Sequence, residues 1–333
     1  MIDSIDDPND QRLKDTYNEV LDLCLDDPAV MGVDIGRRYA ATGQLLKGQY
    51  VVRVHVGKSL QQWRKDLWGK YDRKKPYAPI AIDQKFPATV EILDASYFSH
   101  ATATQPARFS SVDRALASPP IEVAHRRRSG GTLGLIVSDS DDVLYMLSCA
   151  HVLCGPATDV RTSILHPTFR NGGREPEAVV ANFLVAVDAN IGDAAIARLT
   201  ELGLGLVERF KGTPAGSVHD AARAQIGDVV KKSGIGSQTT GIVDGIGRYF
   251  LSTPGTAAFD GFVIVPDDEA SADISQFGDS GAVWYSAANP ANGLGIHVGG
   301  AGADVKRRPA IACHLTSVLE NLSEKLKKPL SIV

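Results

Sequence analysis

Long apolar runs are missing from this chain. Nowhere in its 333 residues do hydrophobic side chains continue for the roughly 18 positions a membrane-spanning helix needs. Cysteine is scarce: Cys24, Cys149, Cys154 and Cys313 are four residues scattered over the whole length, too few for a disulfide framework. The opening MIDSIDDPNDQ is acidic and polar, without the basic and then apolar stretches of a secretory signal. These absences lead us to expect a cytoplasmic, thiol-reducing setting. A dominant charge is missing too. With 35 basic and 39 acidic residues the net charge is -4, which gives no support to a nucleic-acid or membrane partner. No repeat at a fixed period and no low-complexity tract is present.

What the chain does have is material for packed cores. Hydrophobic residues make up 44% and charged residues 22%, over a length suited to two or three domains. The 32 glycines and 17 prolines supply the turns that all-β regions need. In residues 9–25 the apolar positions Leu13, Tyr17, Val20, Leu21, Leu23 and Cys24 recur near helical spacing. VMGVDIG and GQYVVRVHVG then read as strands, with Val52, Val54 and Val56 alternating against Arg53 and His55 in a half-buried pattern. SLQQWRKDLWGKY reads as a helix and FPATVEIL as a further strand. Together these predict an N-terminal α+β domain over 1–105, regulatory or interaction-making in character. Small residues, prolines and Arg126-Arg127-Arg128 predict a linker at 106–128. From 129 onward about a dozen short β segments alternate with turn residues, which predicts two antiparallel β-barrels, near 129–215 and 216–333. A closing amphipathic helix is expected at 315–328.

Three segments carry chemistry. Tyr145–His151 is an apolar strand that ends on an imidazole. Ile191-Gly-Asp193-Ala-Ala-Ile-Ala197 sets an aspartate at the start of a small-residue strand. Phe277-Gly278-Asp279-Ser280-Gly281 puts a serine in a glycine-flanked turn. A serine hydroxyl is a poor nucleophile until a neighbouring imidazole takes its proton, and that imidazole needs a carboxylate on its other nitrogen. The glycines let the Gly278 and Ser280 N–H groups converge, as an oxyanion requires. The expected catalytic residues are therefore His151 as base, Asp193 as its orienting partner and Ser280 as nucleophile, with Gly278 and Ser280 as the oxyanion hole.

The order Ala150-His151, Asp193-Ala-Ala-Ile-Ala197 and Gly278-Asp-Ser-Gly281 resembles the chymotrypsin-like serine proteases. Gly131-Thr-Leu-Gly134, Ser148-Cys-Ala-His151-Val-Leu153 and Lys232-Ser-Gly234…Thr239-Thr-Gly241-Ile-Val243 bring it closer to the Narrow Leaf 1-related trypsin-like proteases of bacteria and plants. The resemblance covers about 130–333 well and 28–100 loosely. It implies a mainly β double-barrel fold, peptide-bond hydrolysis through an acyl-enzyme on Ser280, protein or peptide substrates and no cofactor. It also implies that Asp279 holds the shape of the oxyanion loop. Ile274 stands on the pocket floor where the trypsin group has an acid. Val298, Gly299 and Gly300 form a pocket wall that pairs with substrate backbone. Activation of a partner protein, antiphage defence included, and a homo-oligomer are left open by the chain.

Rival readings exist. Ser280, Asp304 and His314 fall in α/β-hydrolase order, but a nucleophile elbow wants glycine at 282 and alanine stands there. Cys149, His151 and Cys154 have a zinc-like spacing without a nearby fourth ligand. The basic and aromatic residues between Trp63 and Lys75 suit nucleic acid less well than a helix with a solvated face. The competing functional class is a protease-fold module that binds without cutting, and a third possibility is a protease held inactive by its own N-terminal domain.

Overall fold

A computed structural model of the protein describes residues 5–24, 27, 30–40, 43–57, 86–94, 97–99, 120–155, 162–251, 258–267, 274–301 and 309–333. The chain opens with α1 (Gln11–Cys24), β1 (Val30–Tyr39), β2 (Leu45–Val56), β3 (Val90–Asp94) and β4 (Tyr97–Ser99). There follow β5 (Glu122–His125), β6 (Gly131–Thr132), β7 (Leu135–Ser138), β8 (Leu144–Ser148) and the single turn α2 (Ala150–Leu153). β9 (Ser163–Leu165), β10 (Val179–Ala186), β11 (Ala195–Leu199) and α3 (Glu201–Lys211) complete the first half. The second half holds β12 (Asp220–Ala221), β13 (Val229–Ser233), β14 (Gln238–Tyr249), β15 (Phe259–Pro266), β16 (Val283–Ser286), β17 (Asn292–Ala301) and β18 (Ala310–His314), closed by α4 (Leu315–Leu326) and β19 (Ser331–Ile332). Among the described residues no helix is long and apolar enough to cross a membrane.

The architecture is mainly β, with two barrel-like sheets and a C-terminal helix, in keeping with the chymotrypsin-like double barrel expected from sequence. The first sheet has the order β19-β7-β8-β11-β10-β9-β5-β6. In the second, β13 pairs with both β16 and β14, so β13-β16-β17-β18-β15-β14 closes on itself. One apolar cluster spans the two sheets: Leu135, Met146 and Ala195 of the first pack with Val283, Ile296, Val298 and Cys313 of the second. A shared core of this kind fixes one sheet against the other.

The N-terminal strands join the second sheet. β14 is long enough to pair with β13 through its first half and with β1 through its second, Gly32–Gly36 lying opposite Tyr249–Gly245. β2 pairs with β1, and β3 with β2 in parallel. Leu13, Val20 and Cys24 of α1 pack on Val33, Val52, Val54 and Val56, the apolar face that the alternation predicted. The other face differs from expectation. Arg53 and His55 do not meet solvent; each is only 2% exposed. Arg53 donates to both Asp34 oxygens at 2.6 Å and to Asp244 Oδ2 at 2.6 Å. Methyl groups at Gly36 and Gly245 would stand 2.0 Å from guanidinium atoms, so these glycines make its room. Burial pushes the Asp34 carboxyl up, yet Arg53 and His55 outweigh it and hold it well below the usual carboxylate range. Periodicity detects the two faces of a strand but not what covers the polar one.

Two further differences are local. Residues 122–125, inside the stretch expected as linker, form β5, which pairs with β6 and β9 and buries Val123 and Ala124. Glycines at 203 and 205 hid the helix α3 from the sequence reading. Gly203 lies where a methyl would be 1.8 Å from the Val180 carbonyl, so close packing selects it against helix propensity. The helix expected over the Trp63–Tyr71 stretch lies outside the described residues.

Replacing Arg53 with methionine removes the guanidinium shared by the buried Asp34 and Asp244, leaving Asp244 its pair with Arg37 at 2.7 Å and Asp34 only His55 at 3.0 Å. We expect Arg53→Met to lower the unfolding free energy by about 3–5 kcal/mol in urea titrations.

Candidate active site

β8 and β11 run antiparallel with Ser148 opposite Ala195. Three residues beyond the first and two before the second, the pairing brings His151 to Asp193. The Ala150 amide donates to the Asp193 carbonyl at 3.3 Å, and the His151 amide to Asp193 Oδ1 at 3.0 Å. The imidazole Nδ1 is hydrogen-bonded to Asp193 Oδ2. With the Nδ1 proton directed at the carboxylate, Nε2 is left as the acceptor nitrogen. Nε2 is buried and has no partner among the described residues. Burial pushes the Asp193 carboxyl up, but the His151 ring and the amide donors pull it below its ordinary value, so it stays ionised.

The serine lies in a turn whose shape needs glycine. Gly278 has φ +97 and Gly281 φ +93, the left-handed region that side chains disfavour. Between them the Asp279 side chain is fully buried and fully engaged. It accepts from Lys232 Nζ at 2.6 Å, from the amides of Gln276, Gly236 and Ser237 at 2.8–3.0 Å, and from the Ser237 hydroxyl. Burial pulls Lys232 below its ordinary value even though Asp279 opposes the shift. The neighbouring amides of Asp279, Gly281 and Ala282 donate to backbone carbonyls. Those of Gly278 and Ser280 donate to no backbone carbonyl among the described residues.

The two halves touch through backbone. A methyl at Gly281 would stand 2.0 Å from Ser148 Oγ and 3.1 Å from the Cys149 amide. The Ser280 carbonyl accepts from the Thr132 amide at 2.8 Å, and the missing methyl of Gly131 would meet both that carbonyl and the Val152 side chain. The residues beside His151 therefore abut those beside Ser280. The hydroxyl itself is not bonded to the ring: Ser280 is fully buried and its Oγ donates to the Val298 carbonyl at 3.3 Å. The structure joins His151 to Asp193 and holds the Ser280 hydroxyl in a different hydrogen bond.

Of the expected pocket residues, Ile274 is 1% exposed and packs with Ile264 beside Gly241 in the apolar cluster of the second sheet. Val298 is buried next to Ser280, and Gly299 and Gly300 follow it along β17, paired on one edge with Ile311 and Ala310 of β18. Cys149, His151 and Asp193 offer ligand atoms within 4.8 Å of one another. The histidine and aspartate are spent on each other, however, and burial raises the Cys149 thiol well above its ordinary value while its sulfur donates to the His297 carbonyl at 3.0 Å. Burial also pushes Cys154 up to about 12.

Lys232 and Ser237 were missed as site residues. The signal for the lysine lies in the Lys232-Ser-Gly234 motif, whose lysine is the counter-charge of the aspartate beside the serine. Asp279, expected to hold the shape of the serine turn, makes the buried bonds given above.

No protein-family model matches the chain, and no curated protein matches it. Solved structures to which it is similar include a glutamic acid specific serine protease described as using a novel histidine triad in substrate binding, at 19% identity and TM-score 0.44, covering 64% of this chain and 97% of that one. They also include Nocardiopsis protease, at 15% identity and TM-score 0.41 over 63% of this chain and 95% of that one. Thermobifida fusca protease A matches at 15% identity and TM-score 0.42, over 64% and 95% respectively. These likenesses concern the fold alone, and nothing in them bears on the Narrow Leaf 1-related group.

Lys232→Met removes the only cation within reach of Asp279 among the described residues. We expect it to lower stability by about 3–5 kcal/mol, read from urea unfolding, through the uncompensated buried carboxylate.

Proposed function

We propose that the protein is a serine endopeptidase. Ser280 attacks the peptide carbonyl, and His151 Nε2 takes its proton and returns it to the leaving amine. Asp193 holds the ring in the required tautomer, and the amides of Gly278 and Ser280 receive the oxyanion. Water then releases the acyl-enzyme. The observation that carries this reading is the His151–Asp193 bond, which leaves Nε2 as a buried acceptor on a segment whose neighbouring residues abut the glycine-flanked turn of Ser280. Val298–Gly300 would supply the wall and backbone partners of the substrate, with Ile274 behind it. We place the reaction in a regulatory or interaction-bearing chain, with residues 1–105 and 129–333 as its two functional parts.

A second reading draws on the Ser280 hydroxyl, which is buried and turned to the Val298 carbonyl. A protease fold that binds without cutting would tolerate that arrangement. Hydrogen bonds of a catalytic serine are often formed only in the substrate complex, so the enzyme reading does not require the bond beforehand.

A fluorophosphonate probe separates the two. We expect stoichiometric labelling of the wild type at Ser280, no labelling of Ser280→Ala, and a rate about 10⁴-fold lower in Asp193→Asn, where the wrong tautomer is favoured. A folded wild type that stays unlabelled after prolonged exposure would support the binding module instead.

A further inference from the structure

β17 has two edges. Along one, Gly299 and Gly300 pair with β18. The other edge begins beside Ser280: the Gly281 amide donates to the His297 carbonyl at 2.9 Å, and the next carbonyl, that of Val298, accepts from the Ser280 hydroxyl. Beyond that point this same edge is already occupied. β4 pairs with it antiparallel, Ser99 opposite Gly299, Phe98 opposite Gly300 and Tyr97 opposite Ala301. Its direction follows from the register: β4 runs from Ala301 toward Gly299, so its C-terminal end heads for Val298 and the serine.

We propose that β4 is a built-in substrate mimic, a strand of the protein's own N-terminal region that fills the edge on which a substrate must lie to reach Ser280. This rests on the peptidase reading of the site. An extended peptide gains main-chain hydrogen bonds by adding to an exposed sheet edge, and an edge with one occupant cannot take a second. Glycines at 299 and 300 present bare backbone, which suits pairing with any sequence.

The strand is fastened at its far end. Tyr97 is fully buried, and its hydroxyl shares a 2.7 Å hydrogen bond with His55 Nδ1. His55 Nε2 lies 3.0 Å from Asp34 Oδ2, and Asp34 is the carboxylate clamped by Arg53 and bonded by the Tyr249 hydroxyl at 2.9 Å. The Tyr97 ring also meets those of His55 and Tyr249 at centroid distances of 5.6 and 6.0 Å. The buried ionic face of β1 and β2 is thus the anchor of the strand that covers the substrate edge. Peptides bind when β4 leaves, and any partner that draws β1–β4 away from the barrel exposes the site.

The test separates binding from cutting. In a Ser280→Ala background, prolines at Phe98 and Ser99 abolish the pairing, because ladder amides alternate in direction and one of two adjacent residues must face β17. Fluorescence anisotropy with a fluorescein-labelled random octapeptide pool then reads the edge. A strand in place about 90% of the time weakens apparent affinity about tenfold, so the proline variant is expected to bind the pool at least tenfold more tightly. Tyr97→Phe, which loses only the bond to His55, is expected to shift binding in the same direction by less and carries the test if the proline variant does not fold. Equal binding by the folded variants and their parent overturns the proposal. In the Ser280 background the same prolines should raise cleavage of the pool by a similar factor, scored by mass spectrometry. Tighter binding with no Ser280-dependent cleavage would uphold the displaced strand and defeat the peptidase reading.

Discussion

The site depends on a contact that only glycine permits: the backbone of one sheet pressed against the backbone of the other. At Gly134 a methyl would stand 2.1 Å from the Gly281 carbonyl oxygen; at Gly281, 2.0 Å from the Ser148 hydroxyl; at Gly131, 2.8 Å from the Ser280 carbonyl. No side chain shift relieves the first and last of these clashes, since the opposing atoms are main chain. The seam sets the distance between the end of β8 and the serine turn, and the apolar cluster shared by both sheets holds it closed. His151 and Asp193 sit on one side of the seam and Ser280 on the other. How near the two sides stand is a property of two sheets docked at backbone distance rather than of the three residues themselves.

On the serine side a second constraint operates. The turn at 278–281 carries two left-handed glycines and would be pliable by itself. Asp279 removes that freedom by accepting five hydrogen bonds, one from a cation, in a region sealed from water. Such a pair gains little net stability, because desolvation offsets attraction. What it gains is geometry. A charge held in a fixed place fixes the backbone on both sides of it, and those two neighbours are the amides of Gly278 and Ser280. The lysine comes from β13 and the aspartate from the turn before β16, strands already paired with each other, so the barrel's own register sets the ion pair.

Much of this was legible in the chain. The short strands, the alternation in β2, the first and last helices and the order of His151, Asp193 and Ser280 could all be read because each rests on local periodicity or on residue types with few other uses. What escaped reading shares a different property: it depends on what lies opposite. Gly203 reads as a helix breaker until Val180 is seen against it. Arg53 and His55 read as a solvated face until Asp34, Asp244 and Tyr97 are seen around them. Lys232 reads as one polar residue in a strand until Asp279 is placed beneath it. In each case the sequence near the residue was normal, and the deciding partner lay tens to hundreds of positions away.

The two buried ionic clusters belong to one mechanical system. Arg53 joins β2 to β1 through Asp34 and to β14 through Asp244, while Lys232 joins β13 to the serine turn through Asp279. β14 pairs with both β1 and β13, so the two clusters sit on adjacent stretches of one continuous strand edge. Apolar packing alone would allow β1 and β2 to slide along β14, since valines on one face tolerate small shifts. Charges enclosed by glycines do not, because a step of one residue would bring side chains where Gly36 and Gly245 now leave space. The register of the N-terminal strands on the barrel is therefore set by the ion cluster, and that register carries Tyr97 to His55 and β4 to the edge beside Ser280. An arginine buried far from the serine turn thus decides what lies next to it.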